Sequence, residues 1–396
     1  MKNKRTSIKK VILIGLAGLL GLCLLAVGWS YVVNLNLPTH PVTEDRLSSL
    51  DKMRLAEAVH LRQMLGDQIW MGWGSQDIPV ILYNDRYAFL IGYPGIPPNG
   101  WIKMPQQEQR GGAWELVPGD DFYGEPYYRQ PITDPNKTPE AFTVLVGEVW
   151  VATMQTKEAM ESSFYRDFRD PIPSFLQPIF PYRIFWNLTL GMTETYIEAL
   201  DHEMFHSFQA TTNAQRFSEA ELINRVAASY PWEDKEFTSA WESEIDLLLA
   251  ALRAGTGEEA MQLTGQFWQQ REVRRYKFDL TPDQVDYERQ REWLEGLAKY
   301  SELTLGRRAG QEAGYVPLPE TVQDSDFNNY RNQERFWNEQ LGEASGSSIS
   351  AGETRFYYSG LVEAALLDRL MPGWKERILV SDLALDDLLR ELTPVQ

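Results

Sequence analysis

Three hydrophobic patterns succeed one another along the chain. Residues 11–33, VILIGLAGLLGLCLLAVGWSYVV, carry no charge; as a helix rising about 1.5 Å per residue the run reaches about 34 Å, enough to cross a bilayer core. Residues 38–67 follow with a helical pattern, and then short apolar runs take over. Residues 78–84 and 87–92 flank Asn84-Asp85-Arg86 and read as a hairpin, while 141–154, AFTVLVGEVWVATM, is rich in β-branched and aromatic residues and reads as a strand. A loop rich in proline and glycine (92–101) and a polar stretch to about Pro139 lie between them, and PIPSFLQPIFP (171–181) is a proline-punctuated connection. Beyond it the apolar spacing becomes three and four, the helical period. It predicts helices over 217–229, 236–254, 257–277, 281–305, 325–340 and 354–371, with LGEASGSSISAGE (341–353) as a Gly/Ser loop. Strands first and helices afterwards predict an α+β fold.

Charge sharpens this picture at both ends. The first ten residues hold Lys2, Lys4, Arg5, Lys9 and Lys10 with no acid. A basic tail before an apolar run predicts a cytoplasmic segment (1–10), a single-pass transmembrane anchor (11–33) and an extracytoplasmic remainder; a signal peptide, cleaved to give a secreted protein, is the alternative. The formal charge of −18 is reached despite those five cations, so the outer part repels phosphate backbones and nucleic acid is not expected as a partner. Cys23 is the only cysteine, which removes disulfides and thiolate ligands from the outer part.

Candidate chemistry concentrates in TYIEALDHEMFHSFQATTN. Two of the four histidines, His202 and His206, bracket Glu203 in this stretch. On a helix, positions i and i+4 share a face, so both imidazoles can reach one metal ion, and Glu203 lies about 100° further round, able to act on a water without ligating. Ile197, Leu200, Met204 and Phe208 form a core stripe, with His202, His206 and Gln209 on roughly the opposite side. That combination is the zinc-peptidase pattern. His60 reads as an ordinary surface residue.

A catalytic zinc takes three protein ligands and leaves a fourth position open. With cysteine excluded, the third ligand is a downstream carboxylate, and two segments compete: Glu242 or Glu244 in AWESEIDLLLAAL, and Glu295 in REWLEGLAKYSELTLG. Gly296, directly after Glu295, costs up to about 1 kcal/mol inside a helix relative to alanine, a cost that is useful where another backbone must come close.

REWLEGLAKYSELTLG resembles the third-ligand helix of gluzincin metallopeptidases of the aminopeptidase N kind, through Trp293, Leu294, Glu295, Gly296, Ala298, Tyr300 and Glu302. FYYSGLVEAALLDRLMPGWKERILVSDLALDDLLREL is similar to the segment after the zinc site in the glycyl aminopeptidase branch. The resemblance covers about 190–210 and 290–392. It implies Glu295 as zinc ligand, Glu302 as an acid behind the ligands, and Tyr357, three before Gly360, as transition-state stabiliser, with Tyr358 its neighbour. It also implies that 38–185 is the β-rich part, and 186–396 the helical catalytic part, of a zincin-like domain. Two departures stand out: the connection from His206 to Glu295 is longer than in the family, and the Gly-x-Met-Glu-Asn strand that holds a substrate amine there has only Gly111–Glu115 as a partial counterpart. The resemblance therefore bears on the catalytic framework, not on aminopeptidase specificity.

The expectation is a membrane-anchored zinc metallopeptidase acting on a peptide or protein substrate, with His202, His206 and Glu295 on Zn²⁺ and Glu203 as general base. A surface protein that keeps zinc for structure, and a zinc hydrolase of a non-peptide amide, are the alternatives. Oligomeric state is not legible.

Overall fold

A computed structural model describes residues 24–38, 45–140, 142–346 and 352–393, together with Leu13, Gly18, Gly21 and Leu22. The basic tail and much of the apolar run lie outside the described residues; 24–34 are helical, and among the described residues no helix is long and apolar enough to cross a membrane.

The described body opens on helix α1 (Ser49–Ile69), capped by the Ser48 hydroxyl on the Asp51 amide. An eight-stranded sheet follows: β1 (Val80–Tyr83), β2 (Tyr87–Ile91), β3 (Trp101–Lys103), β4 (Glu108–Arg110), β5 (Glu115–Leu116), β6 (Tyr128–Pro131), β7 (Thr143–Val146) and β8 (Val149–Gln155), in the order β4-β3-β7-β8-β1-β2-β6-β5. Only the β1–β8 pair is parallel. The expected β1–β2 hairpin is present, its turn closed by the Asn84 carboxamide oxygen, which accepts from the Arg86 and Tyr87 amides. The single strand expected over 141–154 is instead two, β7 and β8, paired antiparallel about Gly147 at φ 62°. Within the run the turn takes only two residues, Gly147 and Glu148, and glycine makes the positive φ cheap.

Helices then fill the chain: α2 (Lys157–Arg169), α3 (Tyr182–Thr189), α4 (Thr193–Thr212), α5 (Ala214–Leu222), α6 (Lys235–Arg253), α7 (Gly257–Lys277), α8 (Pro282–Arg291), α9 (Leu297–Gln311), α10 (Gln333–Glu343), α11 (Thr354–Leu370), α12 (Trp374–Ile378) and α13 (Leu385–Glu391). Three predicted helices differ. Residues 217–229 hold the end of α5 and a 3₁₀ segment, Ile223–Ser229. Residues 281–305 are broken by a π turn, Glu292–Gly296. The helix expected over 325–340 begins only at Gln333. The helices α2 and α3 were not expected; α2 ends before Pro171 and α3 begins after Pro181, on either side of the segment read as a connection.

The stripe Ile197, Leu200, Met204 and Phe208 seats α4 in a core that runs from Leu47 to Leu389 and joins α1, one sheet face and the C-terminal helices. Ile81, Tyr83, Leu90, Val144 and Val151 form a separate cluster on the other side of the sheet. Strands β1 and β2 are thus covered on both faces, as continuous apolar runs require.

Candidate metal centre

Helix α4 is buried nearly all round, so its histidine face is as covered as its apolar stripe. What covers it is the π turn. A Cβ at Gly296 would lie 2.5 Å from the Gly360 Cα, and one at Gly360 would lie 2.6 Å from the Glu292 carbonyl oxygen. The two glycines let the turn and α11 touch backbone to backbone, the close approach that Gly296 foreshadowed. The π turn, a distortion common at functional sites, places Glu295 over His202 and His206.

The three side chains converge. His202 Nε2 lies 3.1 Å from His206 Nε2 and 3.4 Å from Glu295 Oε2, and His206 Nε2 lies 3.3 Å from the same oxygen. Bonds of roughly 2.0–2.1 Å to a tetrahedral ion set ligand atoms about 3.3–3.4 Å apart, so the triangle has the dimensions of three corners of such a site. The other ring nitrogens are committed. His202 Nδ1 lies 2.7 Å from Glu302 Oε2 and His206 Nδ1 lies 2.9 Å from Gln209 Oε1. The Gln209 amide nitrogen donates to the Trp293 carbonyl at 2.8 Å and to that of Leu294 at 3.3 Å, which turns its oxygen toward His206. Both Nδ1 atoms therefore carry protons and donate, leaving both Nε2 lone pairs pointed at each other and at a carboxylate oxygen. Three acceptors in contact need a positive charge between them, either a proton or a cation.

The electrostatics agree. Burial pushes the His202 imidazole down, but its bonds to Glu295 and Glu302 outweigh that and carry it up to about 10. Burial likewise opposes ionisation of Glu295, yet Arg291 and the two histidines hold its carboxyl well below the usual carboxylate range; Arg291 Nη2 donates to Oε1 at 2.8 Å. Among the described residues His202, His206 and Glu295 form a buried group that could hold a metal ion, and no fourth His, Cys, Asp or Glu joins it.

Glu203, Glu221 and Tyr357 are the half-buried members of the site. Glu203 Oε2 is buried without a hydrogen-bond partner, and burial raises the Glu203 carboxyl, against the pull of the two histidines. The Tyr357 ring stacks on His202, centroids 5.9 Å apart and 9° from parallel. Burial and the neighbouring Glu295 raise its phenol well above the ordinary value, so it stays a donor at neutral pH. Tyr358 turns away, its hydroxyl donating to Gln340 at 3.2 Å.

The competing acids are elsewhere. Glu242 is exposed, and Glu244 is buried against Arg271 and Arg274, with Arg274 Nε 2.6 Å away. Glu115 pairs with Arg129 on an edge strand, and His60 Nε2 lies 3.1 Å from the Val316 carbonyl. Sequence reasoning missed Arg291 and Glu221. Arg291 sits at i−4 from Glu295, a helical ion-pair spacing that was available as a signal; Glu221, pushed up to about 7 chiefly by burial, arrives through tertiary folding and leaves none.

In comparison with known proteins, no family model, no curated protein and no solved structure matches this chain.

Proposed function

We propose that this protein is a membrane-anchored, extracytoplasmic zinc-dependent hydrolase of peptide bonds. The observation that carries the reading is the acceptor triangle of His202 Nε2, His206 Nε2 and Glu295 Oε2, with both Nδ1 atoms engaged behind it. The likeness of the Glu295 segment to gluzincins supports the same ligand set. Zinc bound there supplies Lewis-acid polarisation of a carbonyl and lowers the pKa of a water.

The chain's own residues do the rest. Glu203, with one oxygen free of any hydrogen bond, takes the proton from the attacking water and returns it to the leaving amine, work typically amounting to about 10²–10⁴-fold. The Tyr357 hydroxyl donates to the oxyanion as charge develops on the scissile oxygen. Glu302 and Gln209 orient the imidazoles through Nδ1, and Arg291 holds the far oxygen of Glu295.

A purely structural zinc is the weaker reading, since such a site is closed by a fourth ligand and none is present among the described residues. Digestion of a peptide library by the zinc-loaded protein tests the proposal. Cleavage that chelator removes, and that Glu203→Gln abolishes while zinc content stays at one per chain, supports it. Zinc retention with no cleavage of any peptide by the wild type would overturn it.

A further inference from the structure

Helix α3 breaks the rule that a surface helix is apolar on one side only. Tyr182 and Trp186 face inward and are buried, yet Ile184, Phe185 and Leu188 face outward, Leu188 at 78% exposure. In the loop before it Phe175 is 76% exposed and Leu176 is exposed too. From Ile172 to Met192 the sequence holds one charged residue, Arg183, in a chain of which 24% is charged.

Two further observations say what medium this face meets. The first is where it lies. The end of the N-terminal apolar helix is bonded onto it: Val33 and Leu37 pack with Tyr182 and Trp186, and the Asn34 amide donates to the Phe180 carbonyl at 2.8 Å and the Pro178 carbonyl at 3.0 Å. The helix leaves the body beside the patch with Leu24, Leu25, Trp29 and Val32 exposed. The second is how the loop treats its backbone. Besides the carbonyls taken by Asn34, the Gln177 side chain donates to those of Arg169 (3.0 Å) and Ile172 (2.9 Å). Surface loops ordinarily leave such groups to water, whereas a lipid-facing segment must satisfy them internally.

We propose that residues 172–190 form a second membrane contact, an apolar platform seated in the lipid interface beside the anchor, so that the body rests on the bilayer instead of swinging from a tether. Aromatic rings are suited to that depth, and the end of the N-terminal apolar helix packs against the same segment.

The inference rests on reading residues 11–33 as a membrane anchor, and the test separates the two. In a Cys23→Ser background, nitroxide labels on Trp29→Cys, Phe175→Cys, Leu188→Cys and Val380→Cys are compared in the full chain reconstituted with phosphatidylcholine–phosphatidylglycerol vesicles; Val380 is an exposed reference near the C-terminal helices. The expected result is flotation with the vesicles, with oxygen-rich, nickel-chelate-poor relaxation at 29, 175 and 188 and the reverse at 380. Flotation and a lipid-exposed label at 29, with 175 and 188 as open to the chelate as 380, would overturn the platform and leave the anchor standing. Shielding of 175 and 188 from both oxygen and chelate would mean that protein covers the patch, and would also overturn it. Failure to float would remove the anchor and the platform together.

Discussion

His202 and His206 each commit one ring nitrogen to a fixed acceptor, and that commitment gives the site its tautomers. Glu302 is itself bound by Lys299, and the Gln209 amide is held by two backbone carbonyls, so neither acceptor can easily turn. Loss of such partners costs about 10–100-fold in metal affinity. Glu302→Ala and Gln209→Ala should each weaken zinc binding by that order in a chelator competition, with the fold intact; undiminished affinity in both would mean that the partners behind the rings do nothing for the metal. In the proposed hydrolysis Tyr357 acts one step later. Tyr357→Phe should keep zinc and KM but lower kcat by roughly 10²–10³-fold, the usual consequence of losing one oxyanion donor. Much of this scale was legible in the sequence, because an i, i+4 histidine pair and its i+3 amide are local facts about one helix. Arg291, four residues before Glu295, was legible in the same way though unread; Glu221 was not, since its place in the site depends on how α5 packs in space.

The π turn is the element on which the site depends. Glu292 anchors it from below through Arg271 at 3.0 Å and the Ser359 hydroxyl at 2.7 Å. The Trp293 indole donates to the Ile378 carbonyl at 3.1 Å. Arg271 also neutralises Glu244 and Glu363 with no exposure to water. Removing one partner from such a buried network strands the others, at a cost of about 3–5 kcal/mol, so Arg271→Ala should show a loss of that size in denaturant unfolding. Gly296→Ala places a methyl against Gly360 with no flexible side chain to yield. Overpacking of this kind costs about 1–3 kcal/mol, and here it should also displace Glu295 and lower zinc affinity; Gly257→Ala, with open space around it, is the control that should do neither. The sequence showed Gly296 as out of place in a helix, but not the π geometry, because a one-residue bulge leaves the apolar spacing almost unchanged. Nor did it separate β7 from β8, where only Gly147 and Glu148 interrupt the apolar run, or show the short edge strands β4 and β5.

At the scale of the molecule, a proton and a metal ion would compete for the place among His202, His206 and Glu295. The His202 value, carried up to about 10, lies above its unfolded value of about 6.5. Without metal, the proton on His202 therefore contributes stability that is fully present below about pH 6.5 and is lost as pH rises through about 10. Zinc bound as proposed would replace that proton. The gain in melting temperature on adding zinc should widen as pH rises from about 6 to about 9, and binding at neutral pH should release a proton, seen as a buffer-dependent enthalpy. A gain that shrinks with rising pH would contradict the shared site. The α+β class, with strands leading and helices following, was readable from the change of apolar period, because burial on two sheet faces and on one helix face leave different spacings. The apolar outer face of α3 was not, since the prolines just before it, Pro171 to Pro181, made the segment read as a connection.

Two imidazoles of α4 and one carboxylate of the π turn are proposed to hold one cation. Zinc stoichiometry of the purified wild type beside Glu295→Ala and Glu244→Ala tests this most directly. One zinc per chain is expected in the wild type and in Glu244→Ala, whatever that variant loses in stability, with near-complete loss in Glu295→Ala. A Glu295→Ala protein that still holds one zinc per chain with wild-type affinity would contradict it.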